Sequence, residues 1–256
     1  MDIHQRQKFI FNKLTQNGTI YISNLSKELG VSRETIRKDI YALKSKGLLE
    51  VIRGGAKIPP ISKTETKYNQ RTKLQIDEKM QIANAAVKFL YNGETIFLDY
   101  GTTTSKIAYQ LKYSNIQNVT VVTSSINVLK YLEYCENIEV IFLGGSLRHS
   151  EGSVTGPLAI SNVEKIYCDV GFFGCGGIDP DLGVTNHYFS EVEVSKKMML
   201  HCKKKILVAD HSKFSLTAPY KTSDIKNFDA IITDSQISTA AVAQMKDLQE
   251  KIILAS

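Results

Sequence analysis

Over the first 57 residues the apolar positions recur at helical spacing in short stretches punctuated by glycine. From Gln5 onward, Phe9, Ile10 and Leu14, together with the stem of Lys13, line one side of a helix that Gly18 stops. Thr19 to Ile22 reads as a short extended piece. A second helix follows, with Ser23 as the expected N-cap, Leu25 and Leu29 on its inner face and Gly30 as its terminator. Almost no turn remains, because Val31 and Ser32 lead at once into a third helix that Ser32 caps. Ile36, Ile40 and Leu43 pack inward along it, so Glu34, Arg37, Lys38 and Tyr41 face outward. Beyond Gly47, Leu48 to Ala56 reads as a strand running into a glycine turn that presents Arg53, in the manner of a wing. Two helices joined this tightly, the second with a basic outer face, have the geometry that seats a helix in the major groove of DNA.

Lys57 to Ser62, with Pro59 and Pro60 at its centre, breaks both helix and strand and marks a boundary. A charged stretch from Glu65 to Lys79, helical in part, leads into Ile82, Ala86, Phe89 and Leu90. The pattern then alternates. Strand-like runs at Thr95–Leu98, Val119–Val122, Val140–Leu143, Val170–Phe173, Ile206–Ala209 and Ala230–Thr233 are separated by segments long enough for helices. Such alternation predicts an α/β fold: a larger α/β sensor domain with a mostly parallel sheet behind an N-terminal winged helix-turn-helix. The expected organisation is a DNA-binding domain over 1–57, a linker over 58–75 and an effector-binding domain over 76–256.

Charge sharpens the division. Residues 1 to 60 hold 11 Lys+Arg against 5 Asp+Glu, whereas the remaining residues hold 21 of each sign. The whole net charge of +6 therefore sits on the head, which is where phosphates of double-stranded DNA would be met. On an isolated helix, Arg37 and Lys38 would read as an ordinary solvated face. The tight turn, the wing and the segregated charge together favour DNA contact. No apolar run approaches the roughly 18 residues needed to cross a bilayer, and the N-terminus leads into a polar helix rather than a signal peptide, so a cytoplasmic protein is expected. Cys135, Cys168, Cys175 and Cys202 are scattered, without the paired spacing of a zinc site or disulfide framework, and no metal is expected. No cofactor is expected either, since Gly174-Cys175-Gly176-Gly177 lacks the third glycine of a dinucleotide fingerprint and no Walker A sequence occurs.

Ligands of parallel sheets sit beyond the carboxyl ends of the strands, and those ends are chemically unusual here. The first predicted strand runs into Asp99-Tyr100-Gly101-Thr102-Thr103-Thr104-Ser105 and a helix bearing Ile107, Ala108 and Leu111. Glycine lets the backbone approach a ligand, while hydroxyls and free amides at a helix N-terminus suit a phosphate or carboxylate. Thr123-Ser124-Ser125, Gly144-Gly145 with Arg148, and Asp210-His211-Ser212-Lys213 end three further strands. Each alone could be a cap, a turn or a surface charge; four on one sheet point to a shared oxyanion pocket.

These residues carry a family resemblance. Leu25 to Gly30, Val31 to Ile40, Leu43, Gly47 and Arg53-Gly54-Gly55-Ala56 resemble the head of the DeoR family of bacterial transcriptional regulators, with Lys38 where a second arginine is common. Asp99 with Gly101 to Thr104, Gly144-Gly145 with Arg148, Gly156, Gly177-Ile178-Asp179, Gly183 with Thr185, Glu191 and Asp210 to Phe214 extend the likeness over most of the chain. Ser124 stands where an asparagine is common. The resemblance implies a body like ribose-5-phosphate isomerase that binds a phosphorylated sugar or related metabolite, and a regulator, a repressor of sugar-metabolism genes, that leaves its operator when the effector binds. It implies that Ser32, Arg33, Thr35, Arg37, Lys38, Tyr41 and Arg53 face DNA. Thr102, Thr103, Thr104 and Lys213 would hold phosphate, with Asp99, Asp179 and Glu191 nearer the sugar hydroxyls and Gly101, Thr123, Ser124, Gly144, Gly145 and Arg148 around them.

A working sugar-phosphate isomerase fused to a DNA-binding head is the rival reading, with Glu191 and Asp179 as acid and base. The isomerases that the body resembles carry an Asp-Gly-Ala-Asp-Glu loop and a lysine before a glycine run. Here the corresponding stretches read Gly174 to Asp179 and Asp181 to Val184, which favours a binding pocket over an enzyme. One head covers few phosphates, so a homo-oligomer, dimer or tetramer, is expected to match a repeated half-site. Gel shifts should show steeply salt-dependent DNA binding by the full chain and none by a chain beginning at Lys63. Arg37→Ala should cost about 1–3 kcal/mol and relax base preference, as for an arginine that reads guanine.

Overall fold

A computed structural model of the protein describes residues 1–45, 48–57, 65–214 and 216–256. In the head, α1 (Ile3–Asn17) is followed by β1 (Thr19–Tyr21), α2 (Ile22–Leu29), α3 (Arg33–Ser45), β2 (Glu50–Ile52) and β3 (Gly55–Lys57). The first helix starts two residues before Gln5 because Asp2 closes a capping box, its carboxylate accepting from Gln5 N at 2.8 Å while Gln5 Oε1 accepts from Asp2 N at 3.2 Å. Ser32 caps α3 as expected, accepting from Thr35 N at 3.1 Å.

Ser23 does not cap α2. Pairing of β1 with β3 holds Tyr21 extended, and the Ile22 amide donates to Gly54 O at 2.9 Å, so the wing supplies what a side-chain cap would have supplied. Ile10, Leu14, Leu25, Ile36, Ile40 and Leu43 form the core of the head. Asp39 joins them on the inner side of α3, where Arg6 Nε donates to it at 2.5 Å and Gln7 Nε2 at 3.3 Å. Gly47 and the expected boundary at 58–62 lie outside the described residues.

The body opens with α4 (Tyr68–Arg71) and α5 (Ile76–Val87). Then come β4 (Thr95–Leu98), α6 (Thr102–Lys112), β5 (Val119–Thr123), α7 (Ile126–Leu132) and β6 (Ile138–Phe142). A hairpin of β7 (Ser146–Arg148) and β8 (Ser153–Thr155) and helix α8 (Pro157–Val163) lead to β9 (Cys168–Phe173). After β10 (Gly177–Asp179), β11 (Gly183–Asn186) and α9 (Phe189–His201) the chain returns through β12 (Cys202–Val208), β13 (Tyr220–Ser223), β14 (Ala230–Asp234), α10 (Thr239–Gln244) and β15 (Ile252–Ala255).

Seven of these strands form one sheet in the order β15-β14-β12-β9-β4-β5-β6, and every pairing in it is parallel. Alternation along β4 explains the two layers of helices. Ile96 and Leu98 face α5, α6 and α7, while Phe97 faces the other way with residues of α8, α9 and α10. The chain runs outward from β4 through β5 to β6 and then resumes at β9 on the other side of β4, which makes β4 and β9 the switch point of the sheet. All six predicted strands are present; β15, the hairpin β7–β8 and the small antiparallel sheet β10-β11-β13 are additions to the expectation.

Head and body meet along α1. Lys8 Nζ pairs with Glu78 at 2.6 Å, and Asn12 Oδ1 accepts from Gln75 Nε2 and His211 Nε2, each at 3.1 Å. Leu216 of the body is buried within the core of the head. His211 is also held by Asp234, whose Oδ1 lies 2.8 Å from Nδ1. Burial lowers the His211 pKa, but the hydrogen bond and charge of Asp234 outweigh it and the group titrates above its usual range. The imidazolium, a donor at both nitrogens, then bridges Asp234 to Asn12. With a raised folded pKa, this contribution is fully present below the unfolded value near 6.5 and is lost as pH rises through the folded value. Thermal unfolding from pH 6 to pH 9 should show a decline on the order of 1 kcal/mol, roughly 2–4 °C, that His211→Gln removes.

Candidate functional site

On the head, α3 exposes Arg33, Arg37, Lys38 and Tyr41, and the β2–β3 turn exposes Arg53. Arg33, Arg37 and Tyr41 recur at four-residue spacing and therefore share one face. Arg37 is engaged with Glu34 at 2.8 Å in a pair open to solvent, which contributes little and is readily exchanged for another anion. Ser32 and Thr35 are occupied with the cap of α3 and with each other at 2.9 Å, and so sit at the leading end of the same helix.

In the body, the loops after β4, β9 and β12 converge on one cavity of about 70 Å³ beyond the switch point. Its walls include Tyr100 to Thr104, Gly174 to Gly176, His187, Lys213, Glu65 and Arg71, with Leu48 of the head. Gly101, at φ 121°, turns the chain into α6 in a conformation that side chains rarely adopt. Thr104 and Ser105 bend their hydroxyls back onto Gly101 O, at 3.2 and 2.6 Å. Among the described residues the hydroxyls of Thr102 and Thr103 make no hydrogen bond, and the first amides of α6 have no helical acceptor. Lys213 stands on a short 3₁₀ turn, His211–Lys213, and makes no salt bridge within 4 Å among the described residues; against the effect of burial, its charge helps hold the nearby Asp210 carboxyl below the usual range. Free amides at a helix N-terminus sharing a cavity with an ammonium that makes no salt bridge form an anion-binding arrangement. Two buried polar atoms at the cavity also lack a partner among the described residues, Tyr100 Oη and His187 Nδ1. Burial lowers the His187 pKa to about 4, so the ring is neutral at physiological pH.

Of the expected effector residues, Gly101, Thr102, Thr103, Thr104 and Lys213 line this cavity together. Asp99 lies beneath it, accepting from Tyr100 N at 2.9 Å and from Ser195 Oγ at 3.0 Å, and burial lifts its pKa to about 8. Thr123 donates to Leu98 O at 2.7 Å and Ser124 accepts through its carbonyl from Val154 N at 2.8 Å, so both serve the sheet edge. Gly144 and Gly145 make a turn; a Cβ on Gly145 would come within 2.5 Å of Thr155 O, so it admits the hairpin β7–β8. Asp179 is held in its own loop by the amides of Asp181 and Leu182, both at 2.9 Å.

Arg148 and Glu191 belong to an adjoining charged cluster. Arg148 Nη1 lies 2.5 Å from Glu191, and its Nη2 pairs with Glu65. Glu65 in turn accepts from Arg71 Nη1 at 2.8 Å, and Arg71 Nη2 pairs with Glu151. Ser153 donates to Glu191, whose pKa burial raises to about 7. Arg148 also stacks over Tyr188, 4.3 Å from the ring centroid.

Glu65, Arg71, Tyr100 and His187 were not singled out from the sequence. Glu65 and Arg71 fall in the stretch read as linker, yet residues 65–75 are fastened to the body. Tyr68 Oη meets Ser105 Oγ at 3.0 Å, and the buried Lys79 ammonium donates to the carbonyls of Arg71 and Leu74, each at 2.7 Å. The one available signal was the density of charge between Glu65 and Lys79. Tyr100 was in view as part of the strand end, but nothing in the sequence shows its hydroxyl without a partner.

Comparison with known proteins bears on both halves. The DeoR-like helix-turn-helix domain matches residues 6–61, and the DeoR C terminal sensor domain matches residues 74–235. The HTH-type transcriptional repressor CsqR of Escherichia coli (strain K12) is 32% identical over 241 residues, 94% of this chain and 91% of that one. The glycerol-3-phosphate regulon repressor of the same organism is 30% identical over 243 residues, 95% of each chain. Among solved structures, ribose 5 phosphate isomerase A from Neisseria gonorrhoeae aligns with 55% of this chain and 53% of its own, at 18% identity and a TM-score of 0.39. With the head and most of the body each matched by a domain of one family, and with relatives aligned along nearly their whole length, the chain is a member of the DeoR family.

Proposed function

We propose that this protein is a transcriptional repressor that binds operator DNA through α3 and the wing and is released by a phosphorylated sugar or related metabolite held in the body. The observation that carries the reading is the cavity whose wall brings together Lys213, which makes no salt bridge among the described residues, the free N-terminus of α6 and Leu48 of the DNA-binding head. The phosphate takes the lysine and the amides of Thr102 to Thr104. The orphaned Tyr100 hydroxyl and His187 nitrogen supply neutral partners for sugar hydroxyls. Relatives named as repressors, one of them of a glycerol-3-phosphate regulon, support the regulatory role and the ligand class. The protein works in the cytoplasm as a homo-oligomer, since two heads related by symmetry are needed to read a repeated half-site; among the described residues no helix is long and apolar enough to cross a membrane.

The body acts as a sensor and not as an isomerase. Asp99 is engaged by Ser195, and Glu191 by Arg148 and Ser153, which leaves neither carboxylate poised as a free base. Coupled assays with ribose 5-phosphate and other aldose phosphates should show no turnover above a blank without protein. Isomerisation that disappears in Glu191→Gln would establish the enzyme reading instead.

Fluorescence anisotropy with a duplex selected by this protein from a random pool tests the coupling. Addition of triose, pentose and hexose phosphates should release the DNA in at least one case, and the unphosphorylated sugars should not. Lys213→Ala should raise the effector concentration required by about tenfold or more, as for loss of a charge-assisted hydrogen bond, with operator affinity in the absence of effector unchanged. An unaltered response in Lys213→Ala would remove the lysine from the phosphate site, and no response of the parent protein to any sugar phosphate would remove the effector class.

A further inference from the structure

Glu65 is the first described residue after the head's last strand, separated from Lys57 by residues 58–64. Its carboxylate lines the sensor cavity and bridges two guanidinium groups, Arg71 and Arg148. Neither arginine depends on it for neutralisation. Arg71 is paired with the buried Glu151, and Arg148 with the buried Glu191. The cluster thus holds three carboxylates against two guanidiniums: burial raises the pKa of both Glu151 and Glu191, while Arg71 and Arg148 overcome the effect of burial on Glu65 and hold its carboxyl below the usual range.

The cavity of about 70 Å³ adjoins a second one of about 560 Å³, with which it shares Leu48, Arg71, Lys213 and Leu216, whereas Glu65 lines only the smaller; on that side the space is far below the roughly 300 Å³ at the lower end of small-molecule pockets. Most of its walls are fixed, being the ends of β4 and β9, the start of α6 and the turn bearing Lys213. Residues 65–67 are neither helix nor strand, and they are the part of the wall that leads back to the head.

From these observations, and resting on the sugar-phosphate reading above, we propose that Glu65 is an internal stand-in for the hydroxyl end of the effector. A phosphorylated polyol that seats its phosphate at Lys213 and α6 displaces the Glu65 carboxylate from Arg71 and Arg148 and frees the strap of residues 65–67, which shares the cavity wall with Leu48 of the DNA-binding head. Neutral hydroxyls suit the vacated place, because two guanidiniums then face two carboxylates. Inorganic phosphate, which has no polyol, fills only the lysine end and leaves Glu65 seated. The ligand thereby distinguishes a strap-closed from a strap-open state, the differential affinity that any ligand-driven shift requires.

Calorimetry on the full chain and on Glu65→Gln tests this, with inorganic phosphate and a panel of sn-glycerol 3-phosphate, D-ribose 5-phosphate, D-fructose 1-phosphate and D-glucose 6-phosphate as probes. Both arginines keep a carboxylate partner in Glu65→Gln, so the variant should fold, melting a few degrees below the parent for the loss of Glu65's own pairing. For the sugar phosphate that the parent binds best, the variant should bind about tenfold tighter, while the inorganic phosphate affinity stays within about twofold. Hydrogen exchange on the parent, which needs no variant, should rise at residues 65–74 on saturation with that sugar phosphate and not with inorganic phosphate. Equal or weaker sugar-phosphate binding by Glu65→Gln, an equal gain for both kinds of probe, or unchanged exchange at 65–74 overturns the stand-in while leaving the effector class in place. Absence of binding of any sugar phosphate by either protein instead overturns the effector class, and the stand-in falls with it.

Discussion

Parallel pairing of β4 with β9 is the constraint on which the sensor cavity rests. Each strand of a parallel sheet must hand the chain to a crossover before the next can pair, so all the turns that follow strands gather on one edge. Because the chain departs from β4 in one direction and returns at β9 on the other side, the turns after these two strands diverge and leave a crevice between them. Gly101 to Thr104 and Gly174 to Gly176 border it, and Lys213 enters from the turn beyond β12, which is β9's other neighbour. Three short segments, the first and last more than a hundred positions apart, thus share one small volume.

That volume is electrostatically costly in a way that suits a binding site. A protein arranged for stability alone would not bury Asp99, Glu151 and Glu191 so near one another, since each carboxylate loses hydration and repels its neighbours. Here the arrangement is held by Arg71, Arg148, Ser153 and Ser195, and the penalty appears as carboxyl groups that titrate above their usual range, Asp99 at about 8 and Glu191 at about 7. Concentrations of perturbed groups at a cleft are characteristic of functional sites. The Tyr100 hydroxyl and His187 Nδ1, buried and without a partner among the described residues, add unsatisfied hydrogen-bonding capacity beside this volume.

The cavity is also not separable from the head. A run of six positions serves both: His211 reaches Asn12 of α1, Lys213 lines the cavity, and Leu216 is buried among the head's apolar residues. Leu48 completes the wall from the other side. Coupling between an effector and DNA accordingly requires no long chain of intermediaries. A ligand that alters the position of the turn bearing Lys213 acts on residues that already touch the head, and the affinity difference between the two arrangements sets the size of the response.

Local pattern alone was sufficient for the elements whose physics is local. The helices of the head follow from apolar spacing and glycine stops, Ser32 from its preference for a helix start, and the six main strands from runs of β-branched and aromatic residues whose two buried faces give no alternation to misread. Segregated charge and the glycine-threonine run marked the two surfaces of interest for the same reason, because each is a contiguous stretch of sequence. Tertiary structure decided whatever depends on a distant partner. Ser23 lost the cap because Gly54, brought back by the wing, satisfies the first amide of α2. Arg148 and Glu191, which the sequence offers as open contacts, are committed to each other, and Glu65, read as linker, lies between Arg148 and Arg71. Spacing along the chain determines which face a side chain takes within its own helix or strand, but a charged group's partners, burial and freedom to bind depend on which other elements pack against it, and that is settled only when the sheet closes.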